Sequence, residues 1–131
     1  MYKWLKKQRG KIDVGFFKED KYPDGKTVVE VALANEFGGG YVPPRPFMRD
    51  TFKKFRRKWV KAIRDLFPVN IDAKKTLSLV GEDMVDDLQF MISTYSIPPN
   101  APSTIKRKGR NDPLVDTGRM MNSVKWKGDW K

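Results

Sequence analysis

Between Phe47 and Leu66 the apolar side chains Met48, Phe52, Phe55, Trp59, Ile63 and Leu66 recur at gaps of four, three, four, four and three. Steps of this size return to one side of an α-helix, so the segment is predicted to be helical, with an apolar stripe along one side. This helix constrains the fold more than any other feature. An amphipathic helix gains most of its stability by burying its stripe, so a sheet or a second helix must lie against it. Leu77, Val80, Met84, Leu88 and Met91 supply a second stripe that runs to about Thr94. Pro68 is expected to close the first helix because it cannot donate to the preceding turn, and Asn70 or Asp72 to cap the second. So short a link predicts that the two helices pack antiparallel or cross at an angle.

What lies beneath them is expected to be a small sheet. In Lys11–Phe17, Ile12, Val14 and Phe16 alternate with Asp13, Gly15 and Phe17, the period of a half-buried strand. Tyr22-Pro23-Asp24-Gly25 has turn chemistry, and Thr27–Leu33 then alternates again through Val29, Val31 and Leu33, which predicts an N-terminal hairpin. Gly38-Gly39-Gly40 ends regular structure as a pivot, and Pro43, Pro44 and Pro46 stiffen the chain, with Pro46 suited to the first helical position. Residues 96–116 carry four prolines and a basic cluster without periodicity, and are expected to form a mobile assembly loop. Asp116 or Thr117 could cap a short helical turn through Asn122, and Val124 and Trp126 alternating with Lys125 and Lys127 predict a last strand that joins the hairpin. The expected fold is one α+β domain over residues 1–131. Its small antiparallel or mixed sheet, the N-terminal hairpin plus the C-terminal strand, packs with two long amphipathic helices.

Composition removes most catalytic classes. The chain has no cysteine and no histidine, which leaves no thiolate, no disulfide, no Ser-His-Asp arrangement and few ways to hold zinc. Pro23-Asp24 followed by Glu30 resembles the start of a metal-dependent nuclease motif, but the position where that chemistry needs a lysine is Ala32. Turn formation accounts for Pro23-Asp24 better. No catalytic residue, metal ligand or cofactor is therefore expected. The basic N-terminus is not followed by an apolar run of signal-peptide length, and no stretch approaches a membrane span, so a protein made in a cytoplasm, without a membrane partner, is expected.

A formal net charge of +11 predicts attraction to nucleic acid or to acidic protein surfaces. The first helix carries Arg49, Lys53, Lys54, Arg56, Arg57, Lys58, Lys61 and Arg64, and the 96–116 loop adds Lys106, Arg107, Lys108 and Arg110. This stripe could neutralise phosphates without reading sequence, or it could be a solvated face. The second helix exposes Glu82, Asp83, Asp86 and Asp87. Head-to-tail pairing of Asp83, Asp86 and Asp87 with the basic stripe of a neighbouring copy is expected, because contact between unlike surfaces can close into a ring. Trp59 belongs to the core by its place in the stripe, whereas Trp130 is the tryptophan expected to contact a partner.

Three segments taken in order, VGFF with YPDGKTVVEVALANEFG, then VPPRPFMRDTF, then IPPNAPSTIKRKGRNDPLVDTGRMMNSVKW, resemble small virion morphogenesis proteins of tailed bacteriophages, the Mu G-like tail-completion and head–tail joining group. The resemblance spans about residues 12–126 and rests on Asn35-Glu36-Phe37-Gly38, Pro44-Arg45-Pro46-Phe47, and Pro113-Leu114 with Asp116-Thr117-Gly118. It implies a non-enzymatic structural protein that forms a ring, expected to be hexameric, capping the head-proximal end of the tail tube or bridging it to the neck or connector. Glu36, Arg45, Phe47, Asp116, Thr117 and Arg119 would then meet a neighbouring subunit or the tube, together with the charged residues above and Trp130. The alternative is a nonspecific nucleic-acid-binding module acting through helix 47–66.

Overall fold

A computed structural model describes residues 9–39, 43–95 and 118–130. The fold is α+β. In chain order the elements are strand β1 (Gly10–Gly15), helices α1 (Val28–Phe37), α2 (Phe47–Asn70) and α3 (Ala73–Thr94), a short helix α4 (Arg119–Asn122) and strand β2 (Lys125–Trp130). The strands pair antiparallel, with Gly10 opposite Trp130 and Val14 opposite Trp126. The first and last described strands thus form one two-stranded sheet, and the C-terminal strand joins the N-terminal one as expected.

The second strand of the expected hairpin is instead the helix α1. The hydroxyl of Thr27 accepts from the Glu30 N–H at 3.1 Å, capping a helix start of the Ser/Thr-x-x-Glu type. Val28, Ala32 and Glu36, each four residues apart, are its buried face. The alternating valines favoured a strand locally, and packing of this 3.6-period face overrode them. The turn before the helix keeps the chemistry read from sequence. The Tyr22 N–H donates to Lys26 O at 2.8 Å, Asp24 Oδ1 accepts from the Lys26 N–H at 3.0 Å, and Gly25 takes a φ of 91°.

Helix α2 runs past Pro68 to Asn70. Pro68 cannot donate to the Arg64 carbonyl four residues before it, but Arg64 is exposed, so water can meet the released carbonyl. The helix stops at Ile71, whose φ of 51° and ψ of 33° turn the chain left-handed while its N–H reaches Phe67 O at 2.7 Å. Asp72 then caps α3, accepting from the Lys75 N–H at 3.3 Å. Pro46 stands one residue before the helix rather than at its first position.

The core gathers Val28 and Ala32 of α1, Phe47 of α2, Leu88 and Ile92 of α3, Met120 of α4 and Val124. Phe16 meets the Phe47 ring edge-on, with centroids 6.0 Å apart. The sheet lies on α3, where Trp126 covers Gly81 and Trp130 covers Gly10 beside Leu77. The two predicted stripes are covered unequally. In α2, Trp59 is buried and Met48, Phe55 and Leu66 are half-buried, but Phe52 and Ile63 are exposed. In α3, Val80 and Leu88 are buried while Leu77, Met84 and Met91 are half-buried. Among the described residues no helix is long and apolar enough to cross a membrane. The expected loop at 96–116 lies outside the described residues.

Candidate assembly surfaces

Two of the motifs that carry the phage resemblance meet each other. Glu36, at the end of α1, is buried, and its carboxylate accepts from the Met48 N–H at 2.8 Å, the Arg49 N–H at 3.3 Å and Arg49 Nε at 2.9 Å. Pro46 offers no side-chain cap to α2, so Glu36 supplies one from another element, placing negative charge where the helix dipole favours it. The Arg45 N–H donates to Asn35 O at 2.6 Å, and burial pushes the Arg45 guanidinium below its ordinary pKa. Next to this junction the Tyr95 hydroxyl donates to Asp50 Oδ2 at 2.9 Å. Burial, and then the bond to Asp50, push the Tyr95 phenol up to about 12.

These contacts correct part of the expected interface. Phe47 is fully buried, and Arg45 and Glu36 are nearly so. All three are occupied inside the subunit, fixing the angle between α1 and α2, and none presents a surface to a partner. Arg49 is partly exposed but tied to Glu36, with its guanidinium 5.3 Å over the Phe37 ring.

The acidic patch is likewise divided. Asp87 is buried and accepts from Trp59 Nε1 at 2.7 Å and from Lys58 Nζ at 2.8 Å. Asp83 lies 3.3 Å from the same Lys58. The bond to Asp87 leads the causes that raise the Lys58 pKa. Asp87 is therefore a clasp between α2 and α3 and is withdrawn from any contact with a second copy. Asp86 is exposed and has no hydrogen-bond or ion-pair partner among the described residues.

Lys53 and Arg57 are exposed on α2, as expected. Arg119 is exposed too, but its Nη1 donates to Lys21 O at 3.2 Å and ties α4 to the turn after β1. Trp130 is half-buried against Gly10 and Leu77, a role within the fold. Lys106, Arg107, Lys108, Asp116 and Thr117 lie outside the described residues. Asp24 is engaged in its turn, and no group of three acidic side chains is placed to hold a metal ion among the described residues.

Two of the concavities among the described residues have largely apolar walls. One, of about 400 Å³, lies between β1, α1 and the start of α2 and is walled by Val14, Phe16, Leu33, Phe37 and Met48. The other, of about 770 Å³, runs along α2. Ile12, Trp59, Val60, Ile63, Val80 and Met84 line it with Phe52, and Arg56, Arg57, Lys61 and Arg64 are its charged residues. Phe52 and Val60 are 55% and 53% exposed. Sequence reasoning assigned Phe52 and Ile63 to the core and passed over Val60, which stands off the stripe. Leu79 and Phe90, half exposed on α3, were also missed, although both are out of phase with Val80 and Leu88.

Comparison with protein-family models, curated proteins and solved structures returned no match.

Proposed function

We propose that the chain is a structural assembly subunit of a tailed bacteriophage, forming a ring at the head-proximal end of the tail as a tail-completion, tail-terminator or neck-joining protein. The observation that carries this reading is the apolar surface left uncovered on helices that are otherwise well capped and clasped. Leu33 and Phe37 on α1, Phe52, Val60 and Ile63 on α2, and Leu79 and Phe90 on α3 are all exposed. Exposed apolar side chains concentrated along grooves mark surfaces that other polypeptides cover. The phage assignment itself rests on the sequence resemblance, and the internal bonds joining Asn35-Glu36 to Arg45 and Arg49 supply a reason for two of its motifs to occur together.

Deleting the gene from the phage that carries it should leave DNA-filled heads and tails unjoined, or tails of irregular length, in electron micrographs of lysates. The protein supplied in trans should restore infectious particles. Normal particles without the gene would end this reading.

A second reading, nonspecific nucleic-acid binding, is favoured by Lys53, Arg57 and Arg64, which are exposed without an ion-pair partner among the described residues. Tight binding of the monomer to duplex DNA, weakening steeply with salt, would select it.

A further inference from the structure

The groove on α2 has a specific chemistry. Its floor is apolar and aromatic, and among the described residues every charged side chain that lines it is a cation. Arg57 and Arg64 have no hydrogen-bond or ion-pair partner among the described residues. Phosphate backbones would use the cations but gain little from Phe52, Val60 and Ile63, whose cover requires an apolar partner. The suitable occupant is a helix that presents carboxylates between apolar anchors.

Such a helix face is present on the same chain. On α3, Leu79, Asp83, Asp86 and Phe90 follow at gaps of four, three and four, so they share one face. It borders the subunit's own α2, where Lys58 pairs with Asp83 at 3.3 Å and Lys54 Nζ stands 5.5 Å from the Phe90 ring. Asp86 is its unpaired carboxylate among the described residues. Leu79 and Phe90 are 48% and 50% exposed, and none of the four lines the groove. The spacings agree. Phe52 and Ile63 are separated by eleven positions, as are Leu79 and Phe90, so each pair of apolar ends lies about 16 Å apart along its helix. Between these ends the groove carries Arg56 and Arg57, and α3 carries Asp83 and Asp86.

The geometry points to a second copy of this chain as the occupant, with the Leu79–Phe90 face of α3 seated in the α2 groove of its neighbour. The two surfaces consist of different residues, so the contact is head-to-tail, and an open chain of subunits keeps one unused groove at one end and one unused α3 face at the other until a ring closes. Apolar ends remove water around the central charges, and the charges fix the register. This inference rests on the ring-forming reading above and names the surfaces that build the ring. The self-pairing differs from the one expected from sequence, because Asp87 is spent inside the subunit and Leu79 and Phe90 supply the anchors.

The test uses charge exchange in the full-length protein. One variant carries D83K and D86K, reversing the α3 face, and the other carries R56E, R57E and R64E, which leaves Lys61 as the remaining cation of the groove and reverses its net charge. Sedimentation velocity at low salt should show the wild type assembling, and each variant alone staying monomeric because its two faces then carry like charge. An equimolar mixture should recover assembly, since each unaltered face meets an unaltered partner and each reversed face a reversed one. Circular dichroism spectra matching the wild type establish that the variants are folded. A third variant, V60E, should also weaken association, by about tenfold or more. A wild type that assembles while both charge variants assemble equally well would overturn the assignment of surfaces and leave the ring reading intact. A wild type that stays monomeric overturns self-docking, and the deletion experiment then decides the ring reading separately. Binding of a short DNA duplex that R56E, R57E and R64E together abolish, without self-association, would assign the groove to nucleic acid and overturn the inference.

Discussion

Replacing Asp87 with alanine should loosen the joint between the two long helices. The carboxylate is buried and accepts from the indole N–H of Trp59, which is itself 7% exposed, and from the Lys58 ammonium. In Asp87→Ala the indole N–H has no acceptor and cannot reach water, which costs about 1–3 kcal/mol. Lys58 is half exposed, so solvent screens its pair with Asp87 and the loss there is about 0.5–1 kcal/mol. Together these give about 1.5–4 kcal/mol, a large part of the stability of a domain this size. Asp87→Asn keeps an oxygen for the indole and gives up only the charge, so its cost should be about 1 kcal/mol. Lys58→Met should cost no more than that. Urea unfolding followed by circular dichroism reads these values as shifts in midpoint at constant slope. An alanine variant within about 0.5 kcal/mol of the wild type would refute the reasoning, as would an asparagine variant as damaging as alanine.

Other perturbations address the remaining joints. Glu36→Ala removes the acceptor for two backbone N–H groups and for Arg49 and should lower stability by about 2–3 kcal/mol, with Glu36→Gln near half of that, both measured by urea unfolding. Gly81→Ala would bring a Cβ within 2.8 Å of the Trp126 ring. The gain in helix propensity should offset only part of the crowding, for a net loss of about 0.5–2 kcal/mol in thermal unfolding, and a neutral result would mean that the ring moves freely. Tyr95, pushed up to about 12, and Lys58, raised above 10.5, both hold their protons longer in the folded chain than in the unfolded one. Their stabilisation is therefore complete below pH of about 10 and falls as pH climbs through the folded values. A phenolate absorbance component near pH 12 that disappears in Tyr95→Phe would verify the first shift.

The long helices were legible because their periodicity persists over many turns, and Asp72 was legible as a cap because a carboxylate before a helix has few other uses. The error at Thr27–Leu33 has a definite physical source. Val28, Val29 and Val31 favour strands locally, whereas the burial that selects the helix depends on Ala32 and Glu36, and a buried glutamate is not a residue that apolar patterning detects. The Thr27-x-x-Glu30 signature was the available counter-signal. The motif residues erred in the same direction. Glu36, Arg45 and Phe47 read as exposed determinants of docking because glycine and proline surround them, yet their partners lie in the same subunit. A short constrained motif shows that its residues are held by contacts, without saying whether those contacts cross a subunit boundary.

Periodicity also identifies which residues share a face, but not how much of that face the rest of the chain can cover. Helix α2 has 24 residues, about 36 Å of length, whereas each strand has six, about 20 Å. The sheet rests on α3, through Trp126 at Gly81 and Trp130 beside Leu77, and α1 reaches α2 only near its start, where Glu36 caps it. Beyond Trp59 the described chain has little more than α3 to set against α2, which leaves Val60 and Ile63 in contact with water. A longer sheet could have covered them within the subunit. With strands this short, the described residues leave this part of α2 uncovered, and the basic residues interleaved with Val60 and Ile63 are the reason an acidic surface with apolar anchors is the cover proposed for it.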